Sequence, residues 1–380
     1  MRRVFSFLRA NRNLYIQSSV NNWPPSGESL AFTQYSDMEL TLSPSSPTLL
    51  ALLQRPDDAQ FTHHVIFHLR PCELDSGDMR QVIKIICQMS SLRKVELCYR
   101  VGSPILDFIH QVAPSSFSQL QAFHLQPEPL EGPSDWKQMD VSAVPVLQLS
   151  DLPEAEELYL HGLELTSKSS AADLGRSFQT RRLTLKECQI KAPELGLLLR
   201  RSPRLTSLEC GVLIDAEKAR EWFDLTMINQ GLASFYATLK HLTISFELAT
   251  STAIDTGNEG TWGIRSSLTS LESFSQLQSL EISFVTLLGW NASSAPSLSE
   301  VLPQGLQQLV LTRDEAFWWG YQWDEGFATG AIRNMIQQYV ELHQGHLREL
   351  ALHVPEGMGS FEIDVSSTRD VKVKIIEDEF

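Results

Sequence analysis

Short apolar–polar–apolar triplets recur along this chain with a regular spacing. The clearest three, Leu158-x-Leu160, Leu183-x-Leu185 and Leu208-x-Cys210, start 25 residues apart, and leucine-rich stretches with helical spacing lie between them. Alternate side chains of a strand face opposite sides, so the two apolar positions of each triplet point the same way. A repeat of roughly 20 to 50 residues predicts a solenoid, whose units bury their apolar faces against one another.

The same triplet extends through most of the chain: Val95-x-Leu97, Phe123-x-Leu125, Leu242-x-Ile244, Leu280-x-Ile282, Leu309-x-Leu311 and Leu350-x-Leu352. Another leucine usually precedes it by three residues, as in LKHLTI and LQSLEI. The alternative is an ordinary α/β domain with scattered strands, but chance rarely supplies this extra leucine as well. We therefore predict a single α/β leucine-rich-repeat solenoid, with a curved parallel β-sheet on the concave side and helices on the convex side.

The first part of the chain differs from the rest. Residues 1–45 are rich in Pro, Ser, Gly and Asn, which favours an irregular segment with MELTL as a short strand island. Residues 46–380 form the predicted solenoid, with insertion loops near 126–141, 249–263 and 313–328. Within it we expect a strand at Val65 to Leu69, amphipathic helices over 216–239 and 331–342, and a final capping strand at VKVKII.

The outward-facing strand positions are the candidate binding residues, because stacked strands place them side by side and solenoids use such surfaces to bind other proteins. The predicted set is Tyr159, His161, Arg182, Thr184, Lys186, Glu209, His241, Thr243, Glu281, Thr312 and His353. For any single member, a solvated strand position without a partner is the alternative.

An aromatic cluster after Arg313 is a second candidate. Phe317, Trp318, Trp319, Tyr321, Trp323 and Phe327 fall within eleven residues. If these side chains are exposed, Trp318, Trp319, Tyr321 and Trp323 would anchor a protein partner. The other interpretation is that they close the end of the solenoid or cover its helix layer.

Composition limits the classes of partner and location. The net charge of −15 argues against non-specific nucleic-acid binding, which requires Lys and Arg to neutralise phosphates. The N-terminal MRRVFSFLRA is interrupted by Arg9, which argues against a signal peptide or membrane span. Five cysteines without a C-x-x-C pair favour a reducing compartment, so we expect a cytoplasmic or nuclear protein.

No motif for catalysis is present. The chain has no phosphate-binding glycine loop and no G-x-S-x-G turn. On a strand, His64 and His68 would lie about 13 Å apart, too far to share a metal ion. We therefore expect no catalytic residue, no cofactor and no metal. An enzyme whose site is built on the insertion loops stays open as the alternative, because partners of a nucleophile need not be close in sequence.

Three phrases resemble a known family: SPTLLALLQRPDDAQFTHHVIFHL, VLPQGLQQLVLTRD and HQGHLRELALHVPE. They are similar to the leucine-rich-repeat proteins of filamentous fungi, many of which carry an F-box before the repeats. The resemblance covers about Tyr35 to Ile376. It implies a substrate-recognition subunit of a Skp-cullin-F-box ubiquitin ligase, with a ubiquitylation substrate and a Skp-type adaptor as partners. No recognisable F-box precedes the repeats, so residues 1–45 would be its remnant, or the chain a truncated member without a partner.

Overall fold

The parallel strands predicted from the triplets form one large sheet. The fold comes from a computed structural model that describes residues 37–41, 62–69, 86, 88–100, 109, 119–128, 145–149, 152–167, 177–215, 223–249, 264–289, 295–312, 330–342, 346–355, 363 and 371–378. The strands are Asp37–Thr41 (β1), His64–Leu69 (β2), Lys94–Tyr99 (β3), Ala122–Pro127 (β4), Val146–Gln148 (β5), Glu157–His161 (β6), Glu164–Thr166 (β7), Arg182–Ile190 (β8), Ser207–Asp215 (β9), Phe223–Asp224 (β10), His241–Ala249 (β11), Ile264–Arg265 (β12), Ser279–Ser283 (β13), Gln308–Thr312 (β14), Glu349–Pro355 (β15) and Lys372–Asp378 (β16).

The main sheet follows chain order, which is the topology of a solenoid. Its strand order is β1-β2-β3-β4-β6-β8-β9-β11-β13-β14-β15-β16, and each of these neighbouring pairs is parallel. Strands β5 and β7 form a side arm on the second half of β8, and β10 pairs with β12 in a separate two-stranded sheet. The predicted α/β leucine-rich-repeat solenoid is confirmed as the fold class.

The register aligns the apolar triplets into two continuous columns, which explains their recurrence. In β2 to β15 the first column contains Val65, Val95, Phe123, Leu158, Leu183, Leu208, Leu242, Leu280, Leu309 and Leu350. The second contains Phe67, Leu97, Leu125, Leu160, Leu185, Cys210, Ile244, Ile282, Leu311 and Leu352. These side chains are between 0% and 2% exposed, so both columns lie in the core.

Helices and 3-10 turns connect the strands and pack on the apolar columns. The helices are Ala192–Arg200 (α1), Leu225–Leu232 (α2), Phe284–Leu288 (α3), Leu298–Val301 (α4) and Ala331–Leu342 (α5), with 3-10 turns at Ala233–Phe235 and Thr269–Ser273. Buried residues of α5 recur at Ile332, Ile336, Tyr339 and Val340, a helical spacing that turns one apolar face to the core. None of the described helices has the length and apolar character needed to cross a bilayer.

The expected strand at Val65 to Leu69, the helix over 331–342 and the final strand at VKVKII are confirmed as β2, α5 and β16. The MELTL island contributes β1, which pairs with β2. The single helix expected over 216–239 is confirmed only in part, because residues 223–224 form β10 and α2 covers Leu225–Leu232 before the 3-10 turn at Ala233–Phe235. Asp224 caps α2 through a bond from the Thr226 backbone N–H to its Oδ1 at 2.9 Å, so the helix starts at Leu225. Residues 216–222 lie outside the described chain.

Threonine hydroxyls, of which that of Thr180 is fully buried, reinforce the stacking of successive repeats. Thr180 Oγ1 donates to the Ala155 carbonyl at 3.1 Å, and Thr206 Oγ1 donates to the Arg181 carbonyl at 3.0 Å. Thr238 Oγ1 repeats the contact on the Leu205 carbonyl at 2.9 Å. Each bond joins a carbonyl of one repeat to a side chain of the next and so adds to the backbone hydrogen bonds between repeats.

Candidate functional site

The side of the sheet opposite the apolar columns carries polar side chains in aligned rows, and we call it the open face. Its first row is His64, Lys94, Ala122, Glu157, Arg182, Ser207, His241, Ser279, Gln308, Glu349 and Lys372. Its central row is Ile66, Glu96, His124, Tyr159, Thr184, Glu209, Thr243, Glu281, Val310, Ala351 and Lys374. Most of these residues are half-buried or exposed, with Glu96 and Ala351 as buried exceptions.

Glu96 is the centre of an ion-pair cluster on β2, β3 and β4. Its Oε1 lies 3.0 Å from His64 Nε2, 2.6 Å from Lys94 Nζ and 4.0 Å from His124 Nδ1. Burial opposes ionisation of this carboxyl, but the hydrogen bonds from His64 and Lys94 and the nearby positive charge outweigh it and lower its pKa to about 2. Glu96 therefore stays ionised and holds three strands together.

Glu157 continues the cluster towards β8. His124 Nε2 lies 2.9 Å from Glu157 Oε1, and Arg182 Nη2 lies 2.5 Å from Glu157 Oε2. The hydrogen bond from His124 is the main cause of the lowered pKa of Glu157, with burial opposing it and Arg182 adding to it. A shallow cleft of about 290 Å³ beside these residues is lined by Arg93, Glu156 and Arg182, among others.

A β-bulge in β8 brings a further glutamate onto this part of the sheet. The pairing of β8 with β9 shifts between Leu185 and Cys188, and Glu187 inside the bulge has a φ of 50°. An extra residue of this kind re-aims the side chains of a strand. Glu187 Oε2 lies 3.2 Å from His161 Nε2. Burial opposes ionisation of Glu187, but the hydrogen bond from His161 prevails, and its pKa is lowered.

Tyr159 lies between two histidines in the same region. Its ring centroid is 5.4 Å from that of His124 and 6.3 Å from that of His161. Burial raises the pKa of the Tyr159 phenol to about 12, with help from the negative charges of Glu209 and Glu187. The phenol is therefore protonated at neutral pH and is a hydrogen-bond donor next to a flat aromatic surface.

A buried tyrosine, Tyr99, stabilises the turn after β6 through hydrogen bonds to its backbone carbonyls. Tyr99 Oη donates to the carbonyls of His161 at 3.0 Å and Gly162 at 2.6 Å. Gly162 has a φ of +68°, and a Cβ added there would lie 3.0 Å from Tyr99 Oη. Glycine is therefore required at this position both by backbone conformation and by space. These hydrogen bonds fix the backbone at His161 and Gly162.

The open face from β9 to β13 differs from this paired region. Glu209 and Glu281 are exposed and flank Thr243 in the central row. Loss of hydration raises the pKa of the Glu281 carboxyl, His353 opposes this shift and Glu209 adds to it. Gly211 and Ser245 lie in the next row, so the surface here combines small side chains with acidic ones.

The register places the eleven strand residues predicted from the sequence on one face. Their exposure differs: His161 is buried at 8%, whereas Arg182, Glu209, His241 and Glu281 are exposed and Thr184, Lys186, Thr243, Thr312, His353 and Tyr159 are half-buried. His161 therefore offers little surface to a partner, because it is turned towards Glu187. Their role in binding stays a prediction. Trp318, Trp319, Tyr321 and Trp323 lie outside the described residues.

Two features of the region were missed from the sequence. Glu96 and His124 occupy the middle of triplets that the pattern had already identified, so extending the outward-facing row to β3 and β4 would have found them. The pairing of Glu187 with His161 depends on the bulge, for which the sequence has no clear signal. His64 and His68 also have glutamate neighbours, Glu96 and Glu128.

The described residues contain no group of three or more His, Cys, Asp or Glu that could hold a metal ion. Cys98, Cys188 and Cys210 are buried free thiols. Burial raises the pKa of Cys188 to about 12 and also raises that of Cys210. Such thiols remain protonated and behave as small apolar side chains of the core rather than as nucleophiles.

Comparison with known proteins gives a structural match and no family. No protein-family model matches the chain, and no curated protein matches it. Among solved structures, a match is the crystal structure of a TLR13–ssRNA13 complex, with 11% sequence identity and a TM-score of 0.33. The match covers 91% of this chain and 52% of that chain, so this chain spans about half the length of the matched one. Similarity at this level carries no information about function.

Proposed function

We propose that this chain is a non-catalytic scaffold that binds another protein through the open face. The observation that carries the proposal is the continuous row arrangement: one side of a single parallel sheet forms the core, and the other presents polar side chains from β2 to β15. At about 4.8 Å between strands, this face extends over roughly 40 Å. That length suits the contact patch of a typical protein–protein interface.

The ion pairs favour binding because they organise the surface in advance. Glu96, Glu157 and Glu187 each hold a histidine on the same face at 3.2 Å or less. Side chains that are already held in place lose less conformational entropy when a partner binds. Tyr159 adds an amphipathic ring, a residue type enriched among interface anchors. The region around Tyr159 is therefore our candidate for the centre of the contact.

The pKa shifts of these carboxyls disfavour a role for them in general acid-base catalysis. A catalytic carboxyl is useful when its pKa moves towards neutrality. Glu96, Glu157 and Glu187 move the other way, because each is paired with a histidine. Glu281 has a raised pKa but lies exposed on the sheet, and we nominate no partner group for chemistry there. Nearly all residues of the insertion loops, on which the alternative of an enzyme depends, lie outside the described residues.

The specific role that we propose is recognition of a ubiquitylation substrate in a Skp-cullin ligase, in the cytoplasm or nucleus. It rests on the resemblance to fungal F-box and leucine-rich-repeat proteins in the three phrases given above. The buried free thiols Cys98, Cys188 and Cys210 agree with a reducing compartment. The adaptor-binding segment would then lie before β1.

Affinity capture with matched variants tests the open-face proposal. Thr243→Arg places a long charged side chain in the central row, where Thr243 is half-buried, whereas Ser234→Arg adds the same side chain at an exposed position of the 3-10 turn on the helix side. We expect Thr243→Arg to weaken capture of the partner at least about tenfold and Ser234→Arg to leave it unchanged. Equal capture by all three proteins would contradict binding through this face.

A deletion of residues 1–36 tests the ligase role in the same experiment, because it leaves β1 in the sheet. Skp and cullin subunits that are recovered with the full chain and lost with the deletion would support it. Their absence from the full-length capture, while another protein depends on Thr243, would leave a scaffold that acts outside a ligase.

A further inference from the structure

Among the described strands, the last strand of the sheet has a neighbour on one side only, and we call its other side the free edge. Strand β16 pairs with β15, and no other described strand lies on its far side. The Lys372 backbone N–H donates to the Arg348 carbonyl at 2.8 Å, so Lys372 directs its backbone groups towards β15. Successive residues of a strand direct these groups to opposite sides. Val373, Ile375 and Glu377 therefore direct their N–H and C=O groups to the free edge.

The apolar columns are also incompletely covered at this edge. Val373 and Ile375 continue the columns of Leu350 and Leu352, which are 0% exposed. Both Val373 and Ile375 are only partly buried, although they pack against the core. A further strand beside β16 would cover them, and each apolar side chain removed from water would stabilise the contact.

The charges along β16 select which strand could pair there. Its sequence is KVKIIED, with Lys372 and Lys374 at the start and Glu377 and Asp378 at the end. Lysines on an edge strand ordinarily oppose pairing. A second β16 in parallel register would place like charges opposite one another, whereas an antiparallel β16 would place the basic end opposite the acidic end. The strand is thus self-complementary in one orientation only.

We propose that β16 is the interface of a symmetric dimer, formed by antiparallel pairing with β16 of a second copy of this chain. In the register that overlaps all seven residues, Ile375 lies opposite its own copy, Val373 opposite Glu377, and Lys372 opposite Asp378. The residues with outward N–H and C=O groups then coincide with the hydrogen-bonded pairs of the antiparallel ladder. Sliding the copies to place Lys374 opposite itself would bring like charges together.

This contact is closed and self-limiting, because the same patch is used on both copies. It joins the two sheets edge to edge, so both open faces lie on the same side of the dimer. The proposal is independent of which partner the open face binds. A partner with two copies of its recognition segment would gain avidity from it.

Sedimentation velocity on the full chain, from about 1 to about 100 µM, tests the dimer. We expect a monomer–dimer equilibrium in the wild type. Lys372→Glu places an acid opposite Asp378 twice by symmetry, and we expect at least about tenfold weaker dimerisation. Asp378→Lys should weaken it similarly, and the double variant should restore it. Arg204→Glu, an exposed charge reversal in the turn before β9, serves as the matched control and should leave dimerisation unchanged.

Glu377→Pro removes an outward N–H while keeping the backbone bonds to β15, a substitution that edge strands tolerate. It should yield a folded monomer with an unchanged circular dichroism spectrum. A wild-type chain that is monomeric over the whole concentration range would overturn the proposal. A dimer that is insensitive to Lys372→Glu, or that the double variant fails to restore, would also overturn it.

Discussion

Glu96 illustrates how a single carboxylate connects three repeats on the open face. It lies within 4.0 Å of His64, Lys94 and His124, which come from three adjacent strands. Cross-strand pairs of opposite charge contribute roughly 0.2 to 1 kcal/mol each, and more when they are partly desolvated. Because Glu96 is 6% exposed, its pairs are shielded from solvent more than ordinary surface ion pairs.

The lowered pKa of Glu96 predicts a pH dependence of stability. Its folded pKa of about 2 lies below the ordinary 4.5, so its stabilising contribution is complete above about pH 4.5 and is lost as the pH falls from there through 2. We expect Glu96→Gln to lower the free energy of unfolding by about 2 kcal/mol at pH 7, and the gap from wild type to shrink at pH 3. Urea denaturation of both proteins at the two pH values measures this.

Glu209→Gln is the control for this prediction, because Glu209 is an exposed glutamate of the same row. Its effect should stay below about 0.5 kcal/mol at both pH values. A gap between wild type and Glu96→Gln that is equal at pH 7 and pH 3 would mean that the ion pairs of Glu96 do not stabilise the fold.

At this scale the sequence predicts positions better than contacts. Alternation within a triplet identifies which residues face outward, and Tyr159, Thr184 and Thr243 are on the open face as expected. It does not reveal that His161 turns towards Glu187, because that contact depends on a bulge with a left-handed residue at Glu187. Glutamate has no intrinsic preference for that conformation, so its sequence offers no signal.

Among the elements, helices α1 and α2 of adjacent repeats pack unusually closely through two glycines. A Cβ added at Gly196 would lie 2.6 Å from the Met227 carbonyl oxygen, and one added at Gly231 would lie 2.9 Å from Leu199 Cβ. Backbone atoms cannot move aside as a flexible side chain can. The distance between these two helices is therefore set by the absence of a side chain at Gly196.

Gly196→Ala should destabilise the protein even though alanine favours helices by about 1 kcal/mol over glycine. We expect a net loss of about 1 to 3 kcal/mol in the free energy of unfolding, because the helices must separate and leave strained packing. Gly305→Ala is the control, since its nearest atom would be 4.0 Å away, and it should be close to neutral. Chemical denaturation measures both, and a Gly196→Ala protein as stable as wild type would contradict the close packing.

The triplets predicted the strands of successive repeats, whereas one of the two expected helices, that over 216–239, has other bounds, and the reason is physical. Neighbouring strands pair in the same register, so the apolar positions of each triplet must lie beside those of the next, as Leu183 lies beside Leu158 and Leu208. The connecting segments need only return the chain to the next strand, and their lengths vary. Apolar spacing alone therefore joined Phe223 to helix α2, whereas Phe223 lies in β10 and Asp224 caps the helix, which starts at Leu225.

For the whole molecule, the two sides of the sheet differ in chemical character, one apolar and buried and the other largely polar. The apolar columns run continuously through the core from β2 to β15. This part of the fold was predictable, because the triplets are recognisable in the sequence. The division of the open face into a paired region around Glu96 and a less paired acidic region around Glu281 was not predictable. It depends on which side chains meet across strands, and that requires the register.

Site-specific thiol labelling tests the central claim that the open face is the binding surface. Cys98, Cys188 and Cys210 are buried, so they should not react in the folded protein. In a background with Cys72→Ser and Cys87→Ser, single cysteines are introduced by Thr184→Cys and Thr243→Cys on the open face and by Ser234→Cys on the helix side. Labelling rates are measured for the free chain and for its complex with the captured partner.

We predict that all three introduced cysteines react in the free chain, and that the partner slows labelling only after Thr184→Cys and Thr243→Cys. Protection of Ser234→Cys instead, or equal rates at all three positions with and without the partner, would contradict binding through the open face.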